Sequence, residues 1–484
     1  MPSAHTPPTA AGRKANTIIA VLASGGIVVS LMQTVVIPLV PQLPRLLDAS
    51  AADTAWAITA TLLAAAVATP VIGRLGDMHG KRRMLLVSLA LLVTGSVVAA
   101  LSDSLTPMIV GRALQGLAAG VIPLGISIMR DELPAERLGS ATALMSASLG
   151  VGGALGLPAA SLLAERVDWH LLFWIAAGLG AVVLALVLVL VPESAVRSGG
   201  GFDFVGAIGL STALLCLLLA ISKGAQWGWT STVTLSLFAG AAVVLAAWGW
   251  WELRTPSPLV DLRTTARRQV LLTNAASAVF GFSMFAMSLV SPQILQLPTA
   301  TGYGLGQSLV VVGLVLAPSG LVMMSMAPVS ARISKARGPK TTLITGALVV
   351  AAGYALYTVL MTELWHLLLV SAIIGAGIGL AYGAMPALVM AAVPISETAA
   401  ANSLNTLMRS IGTSVCSAVA GAVLAQLTVP FGATHLPSQN AFRVIMAIGA
   451  AAALVAAAIA ALLPGRPATV GTDRTAEVRT ATSA

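Results

Sequence analysis

The chain has 484 residues, 57% of them hydrophobic and only 9% charged, with a mean hydropathy of +0.93. A soluble domain carries roughly 25% charge, so a soluble globular fold is excluded and the formal charge of +9 belongs to a membrane protein. The two cysteines, Cys216 and Cys416, both fall in apolar stretches; they read as small packing residues and offer neither a disulfide framework nor a metal cluster.

Runs of eighteen or more nearly uncharged residues recur along the chain. Each is long enough to cross the roughly 30 Å hydrocarbon layer as a helix, and helices are required because lipid leaves backbone polar groups unsatisfied. The predicted spans are 17–40, 54–73, 84–102, 106–129, 140–164, 170–191, 204–222, 231–251, 270–296, 308–330, 341–361, 365–392, 399–427 and 441–463. The expected fold is therefore all-α, a polytopic membrane protein of about fourteen helices.

The first span follows Arg13 and Lys14, but at about 24 residues it is longer than a secretory signal and reads as an uncleaved helix. It carries Gln33 and Thr34 within "LMQTVVIPLVP" (31–41). Between the second and third spans, "GRLGDMHGKRRM" (73–84) gathers five charged residues among three glycines. The fourth span holds "GRALQGLAAG" (111–120), with Arg112 and Gln115 on one helical face. The fifth holds "GVGGALGLP" (150–158). So many glycines cost helix propensity, which points to close helix contact, with a bend at Pro158. The ninth span carries a stripe of Asn274, Ser277, Gly281, Met284, Ser288 and Ser291, which suits either a cavity lining or helix packing. Met284, Met287, Met323, Met324 and Met326 suit either an adaptable apolar wall or core filling.

Displaced by about 258 positions, "GRLGDMHGKR" (73–82) lies over "ARISKARGPK" (331–340), and with a drift of one residue "GLAAG" (116–120) lies over "GAGIG" (375–379). Two related halves are predicted, 17–191 and 269–464, with an inserted helix pair and linkers at 192–268. The tails, 1–16 and 465–484, are rich in Ala, Thr, Pro and Ser and are expected to be disordered. Halves related in this way place a transport site between them. The thirteenth span reads "NSLNTLMRSIG", with Asn402, Asn405 and Arg409 on one face. Arg409 stands about eleven residues into that span, roughly 16 Å along the helix and near the bilayer midplane, where an ionisable group is a functional candidate.

With the N-terminus inside, 20 of the 26 Lys and Arg residues fall in inner segments and four in outer ones. The positive-inside rule then places both termini in the cytoplasm. Basic residues confined to loops form no stripe for nucleic acid. The sequence contains no phosphate-cradling loop, nucleophile elbow or zinc spacing, so neither a cofactor nor enzyme activity is expected.

In their order along the chain these motifs resemble the major facilitator superfamily, and within it the fourteen-helix drug:proton antiporters. "GRLGDMHGKR" is similar to the loop signature between helices 2 and 3, with Met78 where an Arg is usual. "GRALQGLAAG" resembles the helix-4 signature. "GVGGALGLP" resembles the helix-5 antiporter motif through Gly152, Gly156 and Pro158, with Leu157 intervening, and "DWHLLFW" (168–174) resembles the start of helix 6. The resemblance implies a plasma-membrane exporter of small molecules such as drugs or antibiotics, working by alternating access and coupled to protons. It also implies a gate made of Gly73, Asp77, Gly80 and Arg82, with Asp77 docking near the start of the helix that begins around Ala399.

The chain departs from the family at helix 1, where Met32 stands at the position of a usual Asp and Ile37 where an Asn is common. All 17 Asp and Glu residues fall in loops, tails or helix ends, leaving Asp53, Asp131 or the substrate itself to carry a proton. The candidate substrate or coupling residues are Gln33, Arg112, Gln115, Asn274, Asn402, Asn405 and Arg409. Two membrane arginines without an opposing carboxylate favour a neutral or anionic substrate. A uniporter or metabolite carrier of the same superfamily is the alternative; a membrane-embedded enzyme or a non-transporting receptor is more remote.

Overall fold

The computed structural model describes residues 10–39, 42–166, 168–431 and 434–464, and fourteen helices among them are long and apolar enough to cross a membrane. The first half contains α1 (Ala10–Thr34), α2 (Trp56–His79), α3 (Lys81–Ala100), α4 (Leu105–Glu132), α5 (Ala135–Arg166) and α6 (His170–Leu190). The inserted pair is α7 (Phe204–Trp227) and α8 (Thr232–Glu252). The second half contains α9 (Arg268–Gln296), α10 (Leu309–Arg337), α11 (Pro339–Tyr357), α12 (Leu364–Met390), α13 (Thr398–Gln426) and α14 (Gln439–Ala461). The fold is all-α apart from one antiparallel hairpin between α13 and α14, formed by β1 (Thr428–Phe431) and β2 (Thr434–Pro437), with Val429 opposite Leu436.

Residues 10–16, expected in a disordered tail, are instead the first turns of α1. Ala10, Ala11, Arg13, Lys14 and Ala15 are strong helix formers and extend the helix beyond its apolar part. Residues 1–9 and 465–484, the rest of the expected tails, lie outside the described residues. α1 also ends at Thr34, short of the expected residue 40, and gives way to a 3₁₀ turn at Ile37–Leu39. Pro38 has no N–H to continue the ladder. α4 is broken by a 3₁₀ turn at Leu117–Gly120, where Gly116 and Gly120 lean on Thr61 and Ile72 of α2.

Packing makes the internal repeat visible. In the first half α1 packs on α5 and α6, α3 on α4 and α6, and α2 on α4. In the second half α9 packs on α13 and α14, α11 on α12 and α14, and α10 on α12. Each pair of one half has its counterpart in the other. The halves meet chiefly through two equivalent contacts, α5 against α10 and α2 against α13, with α12 also touching α5 and α4 also touching α13. At the first contact, Gly320 of α10 faces the Gly150 carbonyl of α5, and Gly313 sits against Pro158. A side chain at either glycine would drive into the facing backbone, so these glycines fix how closely the halves approach.

Both cores borrow across this boundary. The second-half core includes Ala143 and Ala147 of α5, and the first-half core includes Met390 and Ala399. The inserted pair stands to one side. Leu210, Leu214 and Leu218 of α7 pack in one cluster with Leu404 and Leu407 of α13 and Leu63 of α2. α8 exposes Val233, Leu235, Val243 and Trp250, an apolar face suited to lipid.

Candidate functional site

Polar side chains concentrate in three places. The first is the face of the bundle where α2 ends and α13 begins. The first N–H groups of a helix have no partner within it, and Asp77 supplies one: the Ala399 N–H donates to Oδ1 at 3.1 Å and the Ala400 N–H to Oδ2 at 2.8 Å. Asp77 is fully buried. Gly73 brings α2 this close, lying against Ser403 and the Ala399 carbonyl, while Gly76 lies against Leu124 of α4. Lys81, also fully buried, pairs with Asp131 at 2.6 Å and lies 3.8 Å from Asp77. Ser194 donates to the same Asp131 oxygen at 2.6 Å. Arg130 reaches across the halves, donating to the Thr398 hydroxyl at 2.7 Å and the Val393 carbonyl at 3.2 Å.

Two residues of the predicted gate stay within the first half. Arg82 donates through Nη2 to the Leu188 carbonyl at the end of α6, and its backbone N–H donates to Glu193 at 3.2 Å. Gly80, at φ +117°, provides the left-handed turn between α2 and α3, and a Cβ there would meet the Glu193 carboxylate. The second half repeats the arrangement: Gly338 has φ +87°, and Lys340 donates to the Ala461 and Leu463 carbonyls at the end of α14. Arg82 and Lys340 thus serve as helix C-terminal caps.

The second place is the interior of the first half. Arg112 is 1% exposed, and its guanidinium donates to the Met32 carbonyl at 2.9 Å, to Gln115 Oε1 at 2.7 Å and to the Ala57 carbonyl at 3.1 Å. Gln115 in turn donates to Ser96 at 2.8 Å. Met32 lies in the last turn of α1, where carbonyls lack helical partners and carry partial negative charge. The charge of Arg112 is therefore held by oxygens of α1, α2 and α4 without a carboxylate. Arg112 is thus enclosed among first-half helices, apart from Arg409.

The third place is in the second half. Asn405 donates to Asn274 Oδ1 at 3.0 Å and to Ser277 Oγ at 2.7 Å, joining α13 to α9. Asn274 Nδ2 is buried without a partner. Asn402 turns back to the Thr398 carbonyl of its own helix at 2.9 Å. One turn beyond Asn405, the Arg409 guanidinium lies 4.5 Å from the ring centroid of Tyr382 on α12, and the Tyr382 hydroxyl donates to Met284 Sδ of α9 at 2.9 Å. Arg409 makes one long bond, 3.4 Å to Thr406, and among the described residues it enters no ion pair. Gly281, by contrast, packs against the Arg409 backbone, and Ser291 bonds to Tyr357 of α11 at 2.8 Å. Much of the ninth-helix stripe is thus helix packing.

Gln33 is exposed on α1, apart from these clusters. In α5, Gly152 rests on Ser30 and the Ile27 carbonyl of α1, and Gly156 rests on Thr34. Gly150 and Pro158 face α10. The motif therefore holds one helix between two halves. Sequence reading missed Lys81, Arg130 and Tyr382. Only Lys81 left a local trace, since it follows Asp77 by four residues at the start of the next helix.

Arg112→Met would leave the Met32 and Ala57 carbonyls and Gln115 Oε1 without their donor, a change that costs about 3 kcal/mol or more. The expected result is a large fall in melting temperature in detergent. Arg409→Gln, at a half-buried and loosely bonded position, is expected to cost less than about 1 kcal/mol. Equal melting temperatures for the two variants would contradict this division of roles.

The chain matches the sequence profile of the Major Facilitator Superfamily over residues 22–417 and 337–482. It is 30% identical over 433 residues to the tetracenomycin C resistance and export protein of Streptomyces glaucescens, covering 87% of this chain and 78% of that protein. It is 29% identical over 416 residues to an uncharacterized MFS-type transporter of Mycobacterium tuberculosis; the match takes in 84% of this chain but spans only 59% of that relative's length. Identity to multidrug resistance protein 3 of Bacillus subtilis is 24% over 378 residues, 76% of this chain and 72% of that one. In three dimensions the fold is similar to the human organic anion transporter TETRAN, with a TM-score of 0.64 at 15% identity over 94% of this chain and 100% of that one. The matched profile, which extends over most of the fourteen-helix fold, shows that the chain belongs to the Major Facilitator Superfamily.

Proposed function

We propose that the protein is a secondary exporter of amphiphilic small molecules, neutral or anionic rather than permanently cationic, working by alternating access in the cell membrane with both termini cytoplasmic. The observation that carries the substrate class is Arg409: a guanidinium near mid-membrane depth, half-buried, set over Tyr382 and free of any carboxylate partner among the described residues. Such a group favours an acidic or phenolic ligand that forms charge-assisted hydrogen bonds. Export of drug-like molecules is supported by the relatives named for tetracenomycin C export and for multidrug resistance. The basic excess of the Asp77 face supports its assignment to the cytoplasm.

In this reading Asp77 latches the cytoplasmic side. Its two charge-assisted hydrogen bonds to α13 hold the halves together there, each worth about 1.5–3 kcal/mol, and opening that side requires their loss. Coupling to protons is part of the proposal, with Asp131 or Asp53, or the substrate itself, as the carrier. A uniporter is the second reading. It is favoured by Met32, which puts a thioether near Ser96 and a carbonyl on Arg112 at the position where the family resemblance implies an Asp.

Asp77→Asn is expected to lower the transport rate about tenfold or more with insertion and folding intact. Vesicles containing equal amounts of protein test this, and a wild-type rate would remove the latch. For the substrate class, a carboxylate and a quaternary ammonium compound of similar apolar area form the test pair. The carboxylate should bind more tightly, and Arg409→Gln should weaken it about tenfold while sparing the ammonium compound. Tighter binding of the cation by the wild type would sink the anion preference.

Coupling is read from transport into proteoliposomes under an imposed pH gradient, alongside substrate counterflow. Drive that disappears in Asp131→Asn or Asp53→Asn identifies the carrier, and drive that survives both assigns the proton to the substrate. Counterflow without any response to the gradient would replace the antiporter with the uniporter.

A further inference from the structure

On the Asp77 face a cleft of about 350 Å³ opens beside the latch. Its walls come from the end of α2, the linker after α6, the segment 256–265 that follows α8, and the first turns of α13. Arg74 lines it from α2 and Arg197 from the linker. Arg74 is only 9% exposed, yet its Nε has no hydrogen-bond partner and its Nη1 makes a single long bond, 3.4 Å to Ser198 Oγ. A guanidinium buried with so few acceptors is costly.

Asp77 attracts the Arg74 guanidinium through space, but no acidic group among the described residues is within ion-pair distance of it. Asp261 borders the cleft, but its carboxylate accepts from the Arg263 and Thr264 N–H groups and from the Thr264 hydroxyl, capping its own turn. Both Asp77 oxygens are engaged by α13. Glu397 also borders the cleft, half-exposed at the edge of α13, and neither Arg74 nor Arg197 forms an ion pair among the described residues.

We infer that this cleft binds a phosphate group, held between the Arg74 fork and Arg197. Phosphate fits because it offers acceptors on several sides at once, suiting guanidinium groups that approach from different segments. The hydroxyls of Ser257 and Thr265 add further donors to the wall. The volume exceeds one inorganic ion, leaving room for an ester substituent, and the cleft lies at the ends of the spans, the depth of lipid headgroups. The phosphate belongs either to a phospholipid headgroup or to a free anion. Bound there, it ties both linkers of the inserted pair to the contact between α2 and α13.

The test uses the full chain purified in maltoside micelles, as wild type, Arg74→Gln and Arg197→Gln. One arm adds inorganic phosphate against chloride at equal ionic strength. The other adds phosphatidylglycerol against a diacylglycerol of the same chains, with melting temperature and lipid adducts in native mass spectra as readouts. The wild type should be stabilised by phosphate, by phosphatidylglycerol or by both, with affinity reduced about tenfold in each variant. Stabilisation by the lipid alone assigns the headgroup, and stabilisation by inorganic phosphate assigns the free anion. No stabilisation in either arm, or the same affinity in both variants as in the wild type, would overturn the site. Arg197 lies on an exposed linker, so its substitution reports on binding even if Arg74→Gln fails to fold.

Discussion

A helix that begins inside a protein must find partners for N–H groups its own ladder leaves free. In α13 two of these groups are satisfied by Asp77, a carboxylate from the other half of the molecule. Much of the surrounding face follows from that contact. Burying the carboxylate requires compensating charge, supplied by Lys81, and Lys81 in turn engages Asp131. Bringing α2 against α13 requires glycine at 73, and bringing it against α4 requires glycine at 76. Thr398, the residue before Ala399, accepts Arg130, so the same turn is held from α4 as well.

The twofold relation of the halves is more exact in packing than in polar chemistry. Helix pairings correspond throughout, and so do the positive-φ glycines at 80 and 338 and the basic caps at 82 and 340. The position of Asp77, however, is occupied in the second half by Lys335. One interhelical contact therefore carries a carboxylate on a helix N-terminus, while its counterpart relies on the glycine packing of α5 and α10.

The architecture was legible because lipid imposes one rule on every segment: a long apolar run must be a helix. Fourteen spans and the inserted pair follow from that rule, and the glycines of α5 announced close packing through their cost to a lone helix. The docking of Asp77 came from resemblance to a family, since nothing local to residue 77 points to residue 399. Partners of polar residues were harder to read. Arg112 read as a charge without an opposing carboxylate, and side-chain patterns do not register which carbonyls receive it; they are those of Met32 and Ala57. Tyr382 sits in an apolar stretch of α12, and its place beneath Arg409 depends on how two helices rotate about their axes. The tail shows the reverse error: a composition rich in Ala, Thr, Pro and Ser over 1–16 suggested disorder, while the intrinsic propensity of residues 10–16 sufficed to continue α1.

α7 touches α2 on one side and α13 on the other, the two helices joined by Asp77. Any movement that parts them would open a lateral slot towards the bilayer, through which acyl chains could enter the space between the halves. A helix laid along that slot with Leu210, Leu214 and Leu218 turned inward acts as a gasket. Behind it α8 turns an apolar face outward that is compatible with the membrane. The two added helices thereby let the seam between α2 and α13 work without flooding the interior with hydrocarbon.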